Sequence, residues 1–379
     1  MKMIGQWCGN YTGTNNGFAI LNIEEEKGLL CGALYLNDNL NGTPGLVCWI
    51  LINKDLQTQT INQTQLYPIN PMTFLAEEDK DHFLYGYNKL YPDYRFPEEL
   101  IIELSFVDQS LNIKVKSNIG NDIEANLENK ISACDSKLNA TRMSWDEFKV
   151  YSSGVDYRQV VFRGQADIWP LRTSFHRNKR FDVIKYVLKD IPLLYGRSIG
   201  LTSHLFDLKN EMENGAFYSL LQHHGYPTPL LDWSYSPFVA AFFAFKNIEA
   251  GVVSSGNSER MVRIFVFDIV KWRFSYAQYK NITDCRLHVS VGEFLPINNA
   301  RALPQQALTT YTNVYDIEGF IYEHGVKSDF EFLKAIDIPV SDYYKAMNDL
   351  SLMGVTASTL FPGIDGMCEE MKRLNFPHV

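Results

Sequence analysis

The chain has 379 residues, 46% of them hydrophobic, and 35 Lys or Arg against 44 Asp or Glu give it a formal charge of −9. This is a globular composition of about two-domain length, which excludes a disordered or fibrous chain and a generally polybasic nucleic-acid coat. The longest apolar run, Pro237–Phe245, has nine residues, short of the ~20 that span a bilayer, so no membrane association is expected.

Residues 1–140 hold ten Lys or Arg against eighteen Asp or Glu, a net of −8, and the remainder holds 25 against 26, a net of −1. Met1–Asn10 lacks a basic stretch followed by an apolar core, so no secretory leader is expected. The six cysteines, Cys8, Cys31, Cys48, Cys134, Cys285 and Cys368, are scattered without a Cys-x-x-Cys pair. Free thiols in a cytoplasmic setting are expected, with no metal and no disulfide framework. After the glycine-punctuated start Gly9–Gly17, the runs Phe18–Ile23, Leu29–Leu36 and Leu46–Ile52 read as strands, with Asn41-Gly42 as a turn. Ile101–Val107 and Leu111–Val115 around Asp108-Gln109-Ser110 read as a hairpin. Residues 1–130 are therefore expected to form an antiparallel β barrel or sandwich, followed by a polar linker, Asn126–Thr141.

From residue 142 to 379 the pattern is mixed α+β. Ser144, three residues before Glu147, is a capping-box start for a helix. Gln159–Phe162 reads as a short strand stopped by Arg163-Gly164. Phe181–Lys189 and Glu211–Gln222 have helical spacing, and Leu230-Leu231 is a remnant of strand. Ser236-Pro237 opens a helix over Phe238–Lys246. Met261–Val270 reads as a buried strand, and Phe330–Lys334, Asp342–Met353 and Met367–Leu374 as helices. There is no phosphate-binding glycine loop, nucleophile elbow or zinc-protease motif, which removes P-loop ATPases, dinucleotide dehydrogenases, elbow-type serine hydrolases and zincins.

Four polar clusters remain. Val161-Phe162-Arg163-Gly164-Gln165 ends a strand in a fixed cation beside a residue without a side chain, where a ligand can come close or where Arg163 simply meets a carboxylate. Gln222-His223-His224-Gly225-Tyr226-Pro227-Thr228 puts two imidazoles at a helix end, as ligand groups or as a cap. Leu230–Pro237 sets Asp232 and Trp233 between strand and helix, where Asp232 could serve a pocket or hold a turn. Arg301-Ala302-Leu303-Pro304-Gln305-Gln306 leads into β-prone Thr309–Tyr311.

In this order the clusters resemble the FRG domain, a family with a Phe-Arg-Gly motif, over about residues 142–370. Phe162-Arg163-Gly164-Gln165 matches the name motif. Gln222–Gly225, Pro227-Thr228, Leu230–Trp233 and Ser236-Pro237 match its longest signature. Arg301 with Gln305 matches a third, and Leu360-Phe361-Pro362 with Ile364-Asp365-Gly366 its ending. Pro229, Ser234, Ala307 and Thr309 depart from the family's usual Arg, Thr, Gly and Phe.

A fainter resemblance, to ADP-ribosyltransferases of the arginine–serine–glutamate type, implies an ADP-ribosyltransferase-like fold and the use of NAD as substrate. On that resemblance Arg163 holds the NAD diphosphate, with Phe162 and Gly164 beside it. His224 and Trp233 line the nicotinamide side, His223, Thr228 and Ser234 also bind the cofactor, and Asp232 or Gln305 sits at the ribose. Gln305 stands where the family has Glu, so Glu318, Glu323 or Asp232 is the acid that could replace it. The resemblance further implies a toxin or effector of antiviral defence or a toxin–antitoxin system. The −8 carried by the β domain, against a basic run over 158–189, predicts that this domain is regulatory, modulating access to that run or docking a partner or inhibitor protein. Eight basic residues over 158–189 (Arg158, Arg163, Arg172, Arg177, Lys179, Arg180, Lys185, Lys189) against Asp167 and Asp182 would suit an RNA or DNA acceptor. Two other readings stay open: a non-catalytic module that binds a nucleotide or a partner, and a hydrolase or nuclease using His223, His224 and Asp232.

Overall fold

A computed structural model describes residues 3–39, 42–130, 135–248 and 259–376. Cys134 and Asn41 lie outside the described residues, as does part of the expected linker.

The N-terminal strands are β1 (Gly5–Gly13), β2 (Gly17–Glu26), β3 (Leu29–Asp38), β4 (Gly45–Ile52), β5 (Thr58–Gln63), β6 (Leu66–Ile69), β7 (Leu100–Val107), β8 (Ser110–Ser117) and β9 (Asp122–Asn129). They form one antiparallel sheet in the order β5-β7-β8-β9-β1-β2-β3-β4-β6. The sheet curls into a nearly closed barrel, and the Gln63 side chain of β5 donates to the Trp49 carbonyl of β4 across the remaining gap. Period-two alternation sets the interior: Leu111, Ile113 and Val115 of β8 point in, while Asn112, Lys114 and Lys116 point out. Trp7, Leu21, Leu34, Leu104 and Leu127 complete the inner core. Strands β2 and β3 are buried on both faces, because Ile20, Tyr35 and Val47 on the outside pack with Ile184 and Cys285 of the C-terminal half. Sequence reading passed over β1, β5, β6, β9 and the helix α1 (Lys80–Leu90), whose residues are all at least partly exposed. Strand β9 takes Asn126–Asn129 out of the expected linker, because Glu128 and Asn129 pair with β1.

The second sheet contains β10 (Ala140–Arg142), β11 (Val160–Gln165), β12 (Leu230–Ser234), β13 (Met261–Asp268), β14 (Val289–Gly292), β15 (Ala307–Thr312) and β16 (Leu333–Pro339). Their order is β10-β16-β13-β11-β12-β15-β14, antiparallel except for β10 with β16. The helices α2 (Trp145–Ser153), α3 (Glu211–His223), α4 (Pro237–Phe245), α5 (Ile317–Ser328), α6 (Tyr343–Leu352) and α7 (Ile364–Asn375) accompany it. The fold is thus α+β, a barrel followed by a mixed sheet with helices. Trp145, Phe148, Phe162, Phe245 and Leu350 fill the layer between the sheet and α2, α4 and α6, and each fully buried side chain of this kind contributes about 1.5–3 kcal/mol. No helix among the described residues is long and apolar enough to cross a membrane.

Four expectations are corrected. Arg163-Gly164 does not stop the strand read over Gln159–Phe162: β11 runs on to Gln165, paired with β13 throughout. Phe330–Lys334 is not a helix: Leu333, Ala335, Ile336 and Ile338 are buried as β16 inserts beside β13. The strand expected to reach Val270 stops at Asp268, whose carboxylate accepts from Lys271 N and caps a helix over Ile269–Ser275. The helix expected over Phe181–Lys189 is a short turn, Val183–Lys185, capped by Asp182 and followed by a π-helical turn over Tyr186–Asp190.

Candidate functional site

Strand β11 is fully paired with β13, from Val160↔Asp268 to Gln165↔Arg263, but it meets β12 through Phe162↔Ser234 alone. Beyond that pair the two strands diverge, and Arg163 occupies the opening. Its Nη1 donates to the Asp232 carbonyl of β12 at 2.6 Å. Its Nε is buried without a hydrogen-bond partner. Burial holds this guanidinium below the usual arginine range, at about 10, and the nearby Asp232 carboxylate opposes that shift, so it stays cationic at neutral pH.

Arg163 opens on a cleft of about 300 Å³, lined also by Arg172, Ser174, Arg177, Gln222, Tyr226 and Asp232. That is the small end of ligand pockets. The Arg172 guanidinium lies 4.4 Å from the centre of the Tyr315 ring, and Arg177 Nη1 donates to the Arg172 carbonyl at 2.7 Å. Burial pulls the Arg177 guanidinium below its ordinary range as well. Three arginines and one carboxylate, Asp232, thus line the cleft. That carboxylate accepts from the Gln222 amide at one oxygen and from Thr309 Oγ1 at 3.4 Å at the other. Gln222 closes the network by accepting from Thr228 Oγ1.

The remaining expected site residues are distributed otherwise. Strand alternation turns Phe162 and Gly164 to the face opposite Arg163. Phe162 is 1% exposed among the helix-facing core. A Cβ on Gly164 would stand 1.8 Å from the Ala240 carbonyl oxygen of α4. The missing side chain thus admits a helix, which corrects the expectation that it admits a ligand. Trp233 is not free to stack on a nicotinamide: it is 3% exposed, its indole donates to Thr310 Oγ1 at 3.0 Å, and its ring packs on Phe267. Ser234 donates to the Gln305 carbonyl at 2.7 Å and accepts from Ser236 N, which ties down the start of α4. Gln305 itself donates to the Leu360 carbonyl at 2.9 Å, so its amide anchors the C-terminal segment and does not face the cleft. Thr228 is fully buried and joins the cleft wall to Ser174, whose hydroxyl accepts from Thr228 N at 2.9 Å.

The two imidazoles separate. His224 is exposed at the end of α3, where its backbone N–H closes the last turn. His223 is half-buried, its Nδ1 has no partner, and its carbonyl accepts from Arg301 Nη1 at 3.2 Å. Burial lowers the His223 imidazole below its ordinary value, against the raising effect of Asp232. Neither alternative acid lines the cleft. Glu318 accepts from Leu171 N and Ser136 Oγ, both at 2.7 Å, and Glu323 is exposed 3.8 Å from Lys130.

The basic run over 158–189 is also divided. Arg180 and Lys185 pair with Glu24 of β2, and Lys185 and Lys189 with Glu26. Three of the eight basic residues of this run are therefore paired with barrel carboxylates. Sequence reading noticed Arg172 and Arg177 only as members of that run. The signal it left unused was Gln222, the first residue of the longest motif, which bridges Asp232 and Thr228.

Residues 158–251 match the family model of the FRG domain, so the C-terminal half of the chain carries an FRG domain. No curated protein matches the chain. Among solved structures, a redesigned β barrel, mFAP1, bound to DFHBI, aligns over 33% of this chain and 94% of its own length at 8% identity. Its TM-score of 0.22 is too low to bear on fold or ligand.

Proposed function

We propose that the cleft around Arg163 binds the diphosphate of NAD and that the FRG domain acts as an NAD-dependent ADP-ribosyltransferase. The observation that carries this reading is a buried guanidinium with an unpartnered Nε, flanked by Arg172 and Arg177 in one cleft. An arginine uses Nε together with a terminal nitrogen for two-pronged phosphate contacts. Three arginines against one carboxylate leave a net of about two positive charges, which matches a diphosphate. NAD supplies a nicotinamide–ribose bond that breaks with the electron pair leaving on nicotinamide, while an acceptor nucleophile bonds the ribose carbon. Of this chain's residues, the arginines would fix the diphosphate. Asp232, oriented by Gln222 and Thr309, would face the ribose and offset the positive charge that builds there.

The test is incubation of the full chain with NAD labelled on the nicotinamide, alone and with RNA, DNA or protein extract. Nicotinamide release that Arg163→Ala abolishes is expected. Both Asp232 oxygens are already engaged within the protein, and this favours a second reading, a module that binds a nucleotide without cleaving it. NAD affinity by calorimetry with no nicotinamide release would select that second reading.

A further inference from the structure

We infer that the N-terminal barrel is a working part of the Arg163 cleft, and that Glu24 of β2 is the positioning residue through which it acts. This rests on the reading of the cleft as a diphosphate site. Glu24 is 2% exposed and lies in the junction between the two halves. Its carboxylate accepts from Arg180 Nε at 3.1 Å, Phe181 N at 3.0 Å, Asp182 N at 3.4 Å and Lys185 Nζ at 3.2 Å. A barrel side chain thus occupies a nest of backbone and cationic donors on the FRG half, much as a bound anion would.

The segment it grips is the one that carries the cleft cations. Arg180 N donates to the Phe175 carbonyl, Asn178 caps the turn that holds Ser174 and Arg177, and Arg177 in turn bonds the Arg172 carbonyl. A second barrel contact steadies Arg172: Gln6 Oε1 accepts from Tyr315 N at 3.0 Å, and the Tyr315 ring underlies the Arg172 guanidinium. With the barrel docked, Arg172 and Arg177 are held in the cleft. With Glu24 released, the stretch from Arg180 to Lys185 loses its carboxylate anchor and Arg177 loses the support that reaches it through Arg180 and Asn178, while Arg172 keeps its contact with Tyr315.

Without Glu24, Arg180 keeps Asp190 at 3.0 Å and Lys185 keeps Glu26 at 2.5 Å, so neither cation is left alone. The probe is inorganic pyrophosphate, titrated by calorimetry into the full-length wild type and into Glu24→Ala, Glu24→Gln and Arg177→Lys, with a melting curve for each. Glu24→Ala is expected to weaken binding about tenfold. Glu24→Gln, which keeps an acceptor oxygen for the backbone donors, should fall between it and the wild type. In the double variant Glu24→Ala/Arg177→Lys the two losses should fail to add, since both act through Arg177. A residue that supports only global stability would not move the affinity of folded protein and would show no such coupling.

Undiminished binding by folded Glu24→Ala overturns the barrel's role and leaves the diphosphate reading standing. A wild type that does not bind pyrophosphate overturns both. Should Glu24→Ala not fold, Glu24→Gln decides: unchanged affinity there rejects the inference.

Discussion

Arg163 and Gly164 are neighbours in the sequence, and their opposite roles follow from the pleat. Side chains alternate along a strand, so an arginine aimed at the cleft sends Phe162 and Gly164 to the helix side. That argument could have been made from the sequence alone, and it would have removed Phe162 from the ligand set. The placements of Trp233, Ser234 and Gln305 were not legible, because each depends on a partner far along the chain: Thr310, the Gln305 carbonyl and the Leu360 carbonyl. At Arg163 we predict that Lys, which cannot make a planar two-pronged contact, weakens pyrophosphate binding by about tenfold or more. The melting temperature should shift by only a few degrees. Unchanged affinity in folded Arg163→Ala would remove the diphosphate role. At the imidazole pair, His223→Ala should lower turnover and stability more than His224→Ala does. The reason is that His223 is half-buried against Asp232 and Arg301, whereas His224 is exposed. Paired rate and melting measurements would check this, and equal effects would reject it.

Among the elements, α4 was the most readable. Ser236 accepts from Val239 N, Pro237 takes the first helical position, and an apolar run follows. What sequence could not show is how close it lies to β11. The helix backbone rests on Gly164, so Gly164→Ala is an overpacking change with no flexible side chain to yield: the clashing atom is the Ala240 carbonyl oxygen. We predict a loss of about 1–3 kcal/mol in a denaturant titration, and a variant as stable as the wild type would contradict the packing described. The opposite failure occurred at β16. Phe330–Lys334 looked helical in isolation, but tertiary pairing with β13 decided its conformation. The barrel strands β2, β3, β4, β7 and β8 were legible as apolar runs, whereas β5 and β9, Thr58–Gln63 and Asp122–Asn129, carry too few apolar residues to stand out and are set by pairing with their neighbours.

For the whole molecule, the charge asymmetry seen in the sequence has a structural counterpart: acidic β2 of the barrel docks on the basic segment of the FRG half. The buried histidines make stability depend on pH. Burial lowers His288 from 6.5 to about 4 and His176 from 6.5 to about 3. A depressed histidine pKa means the unfolded chain takes up the proton more readily. The stability that each contributes is therefore full above pH 6.5 and is lost as the pH falls from there toward the folded value. We predict that the melting temperature of the wild type drops more steeply between pH 6.5 and 4 than that of His288→Gln, which cannot titrate. Parallel curves would show that His288 is not the group responsible.

The position of β16 has a consequence for synthesis. The strand lies between β10 and β13, so the second sheet cannot be completed until residue 339 has left the ribosome. The barrel has all of its strands by residue 129. Long-range pairings of this kind are slow to form, and for some two hundred residues of elongation a finished barrel would present Glu24, Glu26 and Trp49 to a nascent chain still short of its last strand. The first half would then serve as a template on which the second half assembles. Chains released before β16 would carry β13 as an open edge, which makes them early targets for proteolysis or aggregation.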